Sequence, residues 1–310
     1  MTRFGDFQAL CHQTPSYPWC NLFYRQLLKH SPTTLTGLSA NPKSAPVGVN
    51  PECGALRVNN DGSLGNIANI IVCGLGFFFV IALVFWSNRR RAAVGRDELK
   101  VFLIMYLFTL PLQLITTGSL LEQGSTALVV LTAIHAGAVA ATFWALLANG
   151  LVATQIVEDG TLSSLIPFLI FIVAFFAATL YIALDVGLTI TKTFGPSNPP
   201  ASLHSIPLFV LTSIWPGFAA LVYFLIMAYI VLGVLRERKP MGYYLLAGVL
   251  FVLSQLDYFL LNKIICKGTK ASVDGSFIAT ILETAAVGAL YLGWRSITEE
   301  SWDDDQFYRS

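Results

Sequence analysis

The sequence predicts an all-α polytopic membrane protein: a seven-transmembrane helix bundle with a lumenal N-terminus and a cytosolic C-terminus. Three observations predict this fold class, namely a low charge content, seven long apolar runs and an uneven distribution of Lys and Arg. Of the 310 residues, 55% are hydrophobic and 12% are charged, and the mean hydropathy is +0.65. Since a soluble domain has about 25% charged residues, this composition indicates helices that lie in a bilayer.

Each apolar run is close to the roughly 20 residues that a helix needs to cross a bilayer. Pro111 predicts a kink in the second run, and the fifth run is long enough to tilt. We expect a lumenal segment at 1–65, a membrane domain at 66–295 and an acidic cytosolic tail at 296–310. The predicted spans are 66–86, 101–120, 125–153, 163–184, 206–235, 242–261 and 275–293.

The positions of Lys and Arg predict the orientation. The loop at 87–100, SNRRRAAVGRDELK, holds five of them, and the segments assigned to the cytosol hold ten in total, against four on the other side. Because cytosolic loops carry an excess of Lys and Arg, the N-terminus is expected on the lumenal or extracellular side. Residues 1–23 lack the apolar run and cleavage site of a signal peptide, so we expect the first span to direct insertion.

Four of the five cysteines fall on the predicted lumenal side, and Cys73 lies within the first span. An even number of cysteines in an oxidising compartment indicates two disulfides. Four cysteines allow three pairings. We favour Cys11–Cys20 as a local loop and Cys53–Cys266 as a clasp to the loop between the sixth and seventh spans, with the other pairings and free thiols left open.

Small residues recur every four positions in two of the spans. In lipid, such residues let helices approach closely. Packing within the bundle is the favoured interpretation, and a face that docks the transmembrane helix of a partner is the alternative. The residues are Ala133, Gly137, Ala141 and Ala145 in the third span, and Ala285, Ala289 and Gly293 in the seventh.

Several ionisable side chains fall within or at the edge of the predicted spans. Such groups are expensive in a bilayer and therefore suggest function. Asp257 and Glu283 are expected to face each other across the sixth and seventh helices, and Glu283 is within reach of His135. A buried polar network is favoured over a reactive site. The full set is His135, Asp185, Asp257, Lys263 and Glu283.

The sequence carries no pattern typical of catalysis or of a cofactor site. A membrane zinc hydrolase needs at least three ligands, whereas His135 is the one histidine within a predicted span. The patterns G-x-S-x-G, H-E-x-x-H and the P-loop do not occur, and the predicted seventh span has no lysine for retinal. We therefore predict no enzyme activity, no cofactor and no metal. A net charge of +1 without a basic patch argues against nucleic acid as a partner.

A receptor or sensor is the alternative function, because seven spans with an outside N-terminus is the receptor topology. However, the third span is followed by QIVEDGT rather than an Asp-Arg-Tyr-like triplet. No Asn-Pro-x-x-Tyr-like stretch closes the seventh span.

Several short motifs, taken in order, resemble the fungal chitin synthase export chaperone family. They are FGDFQALCHQTPSYPWCNLF at 4–23, VGVNPECGALRV at 47–58, AVGRDEL at 93–99, FWALLANGLVATQIVEDGT at 143–161, IICKGTKASVDGSF at 264–277 and SWDDDQF at 301–307. The resemblance implies a multi-pass protein of the endoplasmic reticulum membrane. Such a protein assists the folding and export of a chitin synthase, which supports the synthesis of cell-wall chitin. Travel with its client to the plasma membrane and residence in the endoplasmic reticulum are both left open.

On that basis the client, an integral membrane chitin synthase, is expected to contact the bundle within the bilayer. The candidate client-interface residues are His135, Gly137, Ala141, Asp257, Glu283 and Ala289. A second contact, with vesicle coat machinery, is expected at two acidic cytosolic segments, the turn VEDGT at 157–161 and the tail with Asp303, Asp304 and Asp305. A solvated, disordered tail is the alternative.

Overall fold

The structure is a computed structural model that describes residues 3–55, 65–90 and 93–298. It is 73% helical, and no β-strand forms in these residues. Seven helices within these described ranges are long and apolar enough to cross a membrane. The predicted all-helical fold and the number of spans are therefore confirmed, and the orientation of the termini stays a prediction.

The N-terminal residues 3–55, called the cap below, contain two helices, α1 (Gln8–Gln13) and α2 (Cys20–His30), and the short 3-10 turns Pro32–Thr34 and Gly37–Ala40. The sequence between α1 and α2 contains Pro15 and Pro18. Proline lacks the N–H that would continue a helix, so the chain turns there. The sequence analysis expected a lumenal segment and did not predict these helices.

The seven spanning helices are α3 (Ile67–Arg89), α4 (Arg96–Thr117), α5 (Thr126–Ala153), α6 (Leu162–Leu188), α7 (Ile206–Val234), α8 (Lys239–Gly268) and α9 (Ser276–Ile297). Helix α7 includes π-helical turns at Val210–Ile214 and Tyr229–Val234, and α8 includes one at Asp257–Leu261. Such turns often occur at functional sites.

Polar side chains mark the start of several helices. The side chains of Asn66 and Ser125 accept hydrogen bonds from the backbone N–H groups of Asn69 and Leu128, which caps α3 and α5. Helix α4 begins after Gly95, at a φ of +66°, and has Asp97 and Glu98 in its first turn, where negative charge complements the helix dipole.

Helix α5 is the centre of the bundle. Within its most apolar window, 61% of the residues are buried, compared with 17% in α6. Alanine and glycine allow this central position because they let the neighbouring backbones come close. Helix α6 therefore presents most of its surface to lipid.

The cap packs onto one end of the bundle and shares a hydrophobic core with it. Phe7, Phe23 and Tyr24 of the cap belong to the same buried cluster as Val129 of α5 and Val186 of α6. Helix α8 also extends past its predicted end at residue 261 to Gly268, which brings its last two turns beside the cap.

Candidate functional site

A cavity of about 390 Å³ lies inside the bundle beneath the cap. This volume is in the range of about 300–1,000 Å³ that is usual for ligand sites. Helices α4, α5, α7, α8 and α9 form its walls, and residues 17–19 of the cap form its roof. Its polar lining includes Gln113, His135, Ser213, Gln255, Tyr258 and Glu283.

The π-helical turns of α7 and α8 contribute to this cavity. Thr212 and Ser213 belong to the first turn of this kind, and Tyr258 and Phe259 to the turn in α8; all four residues line the cavity. A π turn adds a residue to the helical repeat. The side chains that follow it are therefore rotated relative to those of a regular helix.

Glu283 places a carboxyl group in the cavity wall. Its Oε1 accepts a hydrogen bond of 3.1 Å from Nε2 of Gln255 on the facing helix α8. Among the residues that the structure describes, no Lys or Arg lies within ion-pair distance of this carboxyl. Glu283 is therefore held in place by an amide rather than neutralised by a cation.

His135 lies on α5 at the border between the cavity and the cap. Its Nδ1 is 2.9 Å from Oγ1 of Thr116 on α4, and the centroid of its ring is 5.2 Å from that of Trp19 in the cap. His135 is 5% exposed. The predicted contact between His135 and Glu283 is not observed as a hydrogen bond, but both side chains line the same cavity.

Tyr17 closes the cavity from the cap side. Its hydroxyl lies 3.5 Å from Oγ of Ser213. Burial raises the pKa of Tyr17 to about 12, against the weaker opposite effect of the Ser213 hydrogen bond. The roof therefore stays neutral at physiological pH.

Asp274, just before α9, fixes the cap above the cavity. Its Oδ1 accepts hydrogen bonds from Nδ2 of Asn66 at 2.7 Å and from the backbone N–H of Ser276 at 3.0 Å. Its Oδ2 accepts a hydrogen bond from the hydroxyl of Ser16 in the cap. Asp274 is fully buried. One carboxylate thus joins the cap to the first and last spanning helices.

Further hydrogen bonds attach the same cap loop to α8. Asn262 donates from Nδ2 to the backbone oxygen of Pro15 at 2.9 Å, and the hydroxyl of Tyr258 donates to the backbone oxygen of Ser16 at 2.8 Å. The loop that forms the roof is therefore fixed to a wall of the cavity.

Two disulfides complete the cap, Cys11–Cys20 and Cys53–Cys266. These are the pairs that the sequence analysis favoured, and Cys73 is free and buried.

Beside the second disulfide, Glu52 accepts hydrogen bonds from Nζ of Lys263 at 2.8 Å and of Lys267 at 2.7 Å. These two bonds lower the pKa of Glu52 to about 2, and the bond from Lys263 has the larger effect.

The acidic turn at 157–161 has a structural role at the opposite end of the bundle. Oδ2 of Asp159 accepts a hydrogen bond from the backbone N–H of Gly95 at 2.9 Å. Oε1 of Glu98 accepts from the N–H of Gly160 at 3.0 Å and from the hydroxyl of Ser164 at 2.8 Å. The sequence analysis did not single out Glu98, although Gly95, Asp97 and Glu98 form a recognisable helix start.

The predicted client-interface residues have partners inside the chain. Ala141 is fully buried and Ala289 is 4% exposed. A Cβ atom at Gly137 would lie 2.9 Å from the backbone oxygen of Phe176 on α6. These three positions are used in packing between helices of this chain, and their role in client contact stays a prediction.

The two remaining intramembrane carboxylates differ in their surroundings. Asp185 accepts hydrogen bonds from four successive backbone N–H groups at 191–194, so it holds the loop after α6. Asp257 is 4% exposed, and no described residue donates a hydrogen bond to its Oδ2.

The acidic tail with Asp303, Asp304 and Asp305 lies outside the described residues. Within the described ranges, no group of three or more His, Cys, Asp and Glu side chains could hold a metal ion.

Comparisons with known proteins give one consistent result. The sequence model of the family described as "Chitin synthase export chaperone" matches residues 3–306. The chain is similar to the protein of that name from Chaetomium globosum, with 28% identity over 96% of this chain and 83% of the relative. It is also similar to the proteins of the same name from Kluyveromyces lactis, with 26% identity over 97% of this chain and 93% of the relative, and from Yarrowia lipolytica, with 28% identity over 96% and 85%.

No solved structure matches the chain. The match to the family, in contrast, extends from the cap through all seven spanning helices. The chain therefore belongs to the chitin synthase export chaperone family.

Proposed function

We propose that this protein is a non-catalytic membrane chaperone that assists the folding and export of a chitin synthase from the endoplasmic reticulum. The family match over residues 3–306 is the observation that carries this proposal, and the relatives are named for the same role. The receptor alternative receives no support from these comparisons.

The proposed orientation puts the cap in the lumen and the C-terminus in the cytosol. Two disulfides, both involving the cap, support it, because such bonds persist in oxidising compartments such as the lumen of the endoplasmic reticulum. The dense cluster of Lys and Arg at 87–100 supports the same orientation.

Client contact is proposed to use the lipid-facing surface of the bundle. A charged group on an unassembled client helix costs about 2.5–3.5 kcal/mol at the centre of the bilayer on insertion scales. A neighbouring bundle that covers such a helix lowers this cost. Since Gly137, Ala141 and Ala289 are used in internal packing, contact through the outward faces of the less buried helices agrees best with the structure.

Travel of the chaperone with its client, and recognition of Asp303, Asp304 and Asp305 by vesicle coat machinery, belong to the same proposal. Clusters of acidic residues on cytosolic tails can serve as sorting signals. Deletion of residues 299–310 should then leave the protein folded but change where it accumulates.

A deletion strain tests the function. Chitin synthase should remain in the endoplasmic reticulum and cell-wall chitin should fall, with both restored by the full-length chain. Normal export of chitin synthase in that strain would refute the proposal.

Site-specific photo-crosslinking tests the contact surface. Photoreactive residues are placed at Phe78 on α3, Leu169 on α6 and Val249 on α8, which are 69%, 45% and 46% exposed, with the buried Ala141 as the matched internal control. At least one outward position should crosslink to chitin synthase and Ala141 should not. Crosslinking from Ala141 and from none of the outward positions would indicate that the client contacts the small-residue face of α5.

A further inference from the structure

The cavity beneath the cap has an unbalanced set of charged groups. Its lining includes the carboxyl of Glu283 and the imidazole of His135, but no Lys or Arg. The nearest polar partner of Glu283 is the amide of Gln255, which carries no charge. A carboxylate in such surroundings favours a ligand that brings a positive charge.

Aromatic rings form much of the remaining wall. Trp19 lies in the roof, Tyr106 and Tyr258 lie on α4 and α8, and Phe143 and Phe251 lie on α5 and α8. Cations are attracted to the faces of aromatic rings, and cages of such rings recognise ammonium groups. The walls therefore favour the same class of ligand as the carboxylate.

Two residues that line the cavity are exposed, Gly217 on α7 and Phe259 on α8. A Cβ atom added at Gly217 would meet no other atom within 4 Å. A ligand would enter from the bilayer, because Tyr17, Pro18 and Trp19 cover the cavity on the cap side.

We propose that this cavity binds a membrane-dissolved amphiphile with a protonated amine. The amine pairs with the carboxylate of Glu283, and the apolar chain passes between α7 and α8 into the lipid. A transmembrane helix of a client does not fit as the occupant, because a helix is about 10–12 Å across with its side chains and the cavity holds about 390 Å³. The inference does not depend on the identity of the client.

The test uses the full-length, oxidised chain in phosphatidylcholine nanodiscs. Three photoactivatable probes share one saturated chain with a diazirine and differ in the head, which is a primary amine, an alcohol or a carboxylate. Labelled residues are identified by mass spectrometry of peptides. On the unaltered chain, the amine probe should label cavity residues about tenfold more than the alcohol, as expected for one charge-assisted hydrogen bond, and the carboxylate should label least.

Two variants locate the site. Glu283→Gln should reduce labelling by the amine to the level of the alcohol, while labelling by the alcohol is unchanged. Gly217→Phe should reduce labelling by both probes, because Gly217 lines the cavity and the new ring takes up the empty space beside it. Gly242→Phe is the matched control, since Gly242 is also exposed, is also free of atoms within 4 Å and does not line the cavity.

Equal labelling by the three heads on the unaltered chain would overturn the proposal without the use of any variant. Labelling confined to lipid-facing residues outside the cavity would also overturn it. A third result would also overturn it. In cells, a photoreactive residue placed at Ala220, which lines the cavity, would crosslink to a protein segment, and the amine probe would not reduce the yield of that crosslink.

Discussion

Asn66 donates a hydrogen bond of 2.7 Å from its side-chain amide to Oδ1 of Asp274. The two residues are 208 positions apart in the sequence, and each lies at the start of a spanning helix, α3 for Asn66 and α9 for Asp274. Both are fully buried. The first and last helices of the bundle are thus joined by one polar contact, to which the cap adds Ser16.

Asp274→Ala should destabilise the protein strongly. It removes the acceptor of the hydroxyls of Ser16 and Ser276 and one of the two acceptors of the Asn66 amide, which keeps Oγ of Ser276 at 3.0 Å. Each buried donor that stays unsatisfied costs about 1–3 kcal/mol. The measurement is the thermal unfolding temperature in detergent micelles. Glu237→Ala, at an exposed acidic residue in the loop before α8, is the control and should unfold at the temperature of the unaltered chain. Equal unfolding temperatures for both variants would show that Asp274 does not hold the cap.

The Cys53–Cys266 disulfide connects the cap to the end of α8 over a sequence separation of 213. Replacement of both cysteines by serine should lower stability by about 2–5 kcal/mol, the usual loss for a native disulfide. Thermal unfolding of the oxidised protein measures this loss, and peptide mapping without reductant measures the pairing. Cys73→Ala serves as the control because Cys73 is in no disulfide. A mapped Cys11–Cys53 peptide would contradict the pairing.

Glu52 makes part of the stability dependent on pH. Its hydrogen bonds to Lys263 and Lys267 lower its pKa from 4.5 to about 2 in the folded protein. A lowered folded-state pKa stabilises the protein above the unfolded-state pKa, and this contribution is lost as the pH falls from about 4.5 towards about 2. Glu52→Gln should therefore flatten the pH dependence of the unfolding temperature in that interval. If the unfolding temperatures of Glu52→Gln and of the unaltered chain changed in parallel with pH, another group would be responsible for the pH dependence.

The proposed orientation predicts which positions a membrane-impermeant maleimide can reach in sealed microsomes. In a Cys73→Ala background, a cysteine at Glu237 should be labelled at once, and a cysteine at Thr33 in the cap should be labelled after permeabilisation. Both positions are exposed in the structure, so burial does not explain a difference. The reverse order of labelling would invert the topology and place the cap in the cytosol.

The sequence predicted the number of spanning helices, because a helix that crosses a bilayer needs a long apolar run. The presence of two disulfides was predictable for a related reason, because the predicted topology put four cysteines on the same side of the membrane. The pairing was favoured but not determined, since four cysteines on one side allow three pairings. The end of α8 was placed too early, at residue 261, because Lys263 and Lys267 interrupt the apolar run although the helix continues to Gly268.

Which faces point inward was harder to predict. In a membrane, interior and lipid-facing residues are both apolar, so hydrophobicity does not separate Ala141 on an internal face from Leu169 on an external one. The cavity was also beyond prediction, although Glu283 and His135 were noticed. It depends on π-helical turns in α7 and α8 and on a roof contributed by the cap, and neither of these leaves a pattern in the sequence.

Gly137 offers a direct test of the internal packing of α5 against α6. Alanine is favoured over glycine in a helix by about 1 kcal/mol, yet a Cβ at this position would approach the backbone oxygen of Phe176 to 2.9 Å. Because a backbone atom cannot move aside without shifting its helix, Gly137→Ala should cost about 1–3 kcal/mol, as overpacking usually does. Gly74→Ala on α3 is the matched control, since an added Cβ there meets no atom within 4 Å, and it should leave the unfolding temperature unchanged or raise it. If Gly137→Ala were as stable as Gly74→Ala, α5 and α6 would not be in the close contact described, and the small-residue face of α5 would again be available to a client.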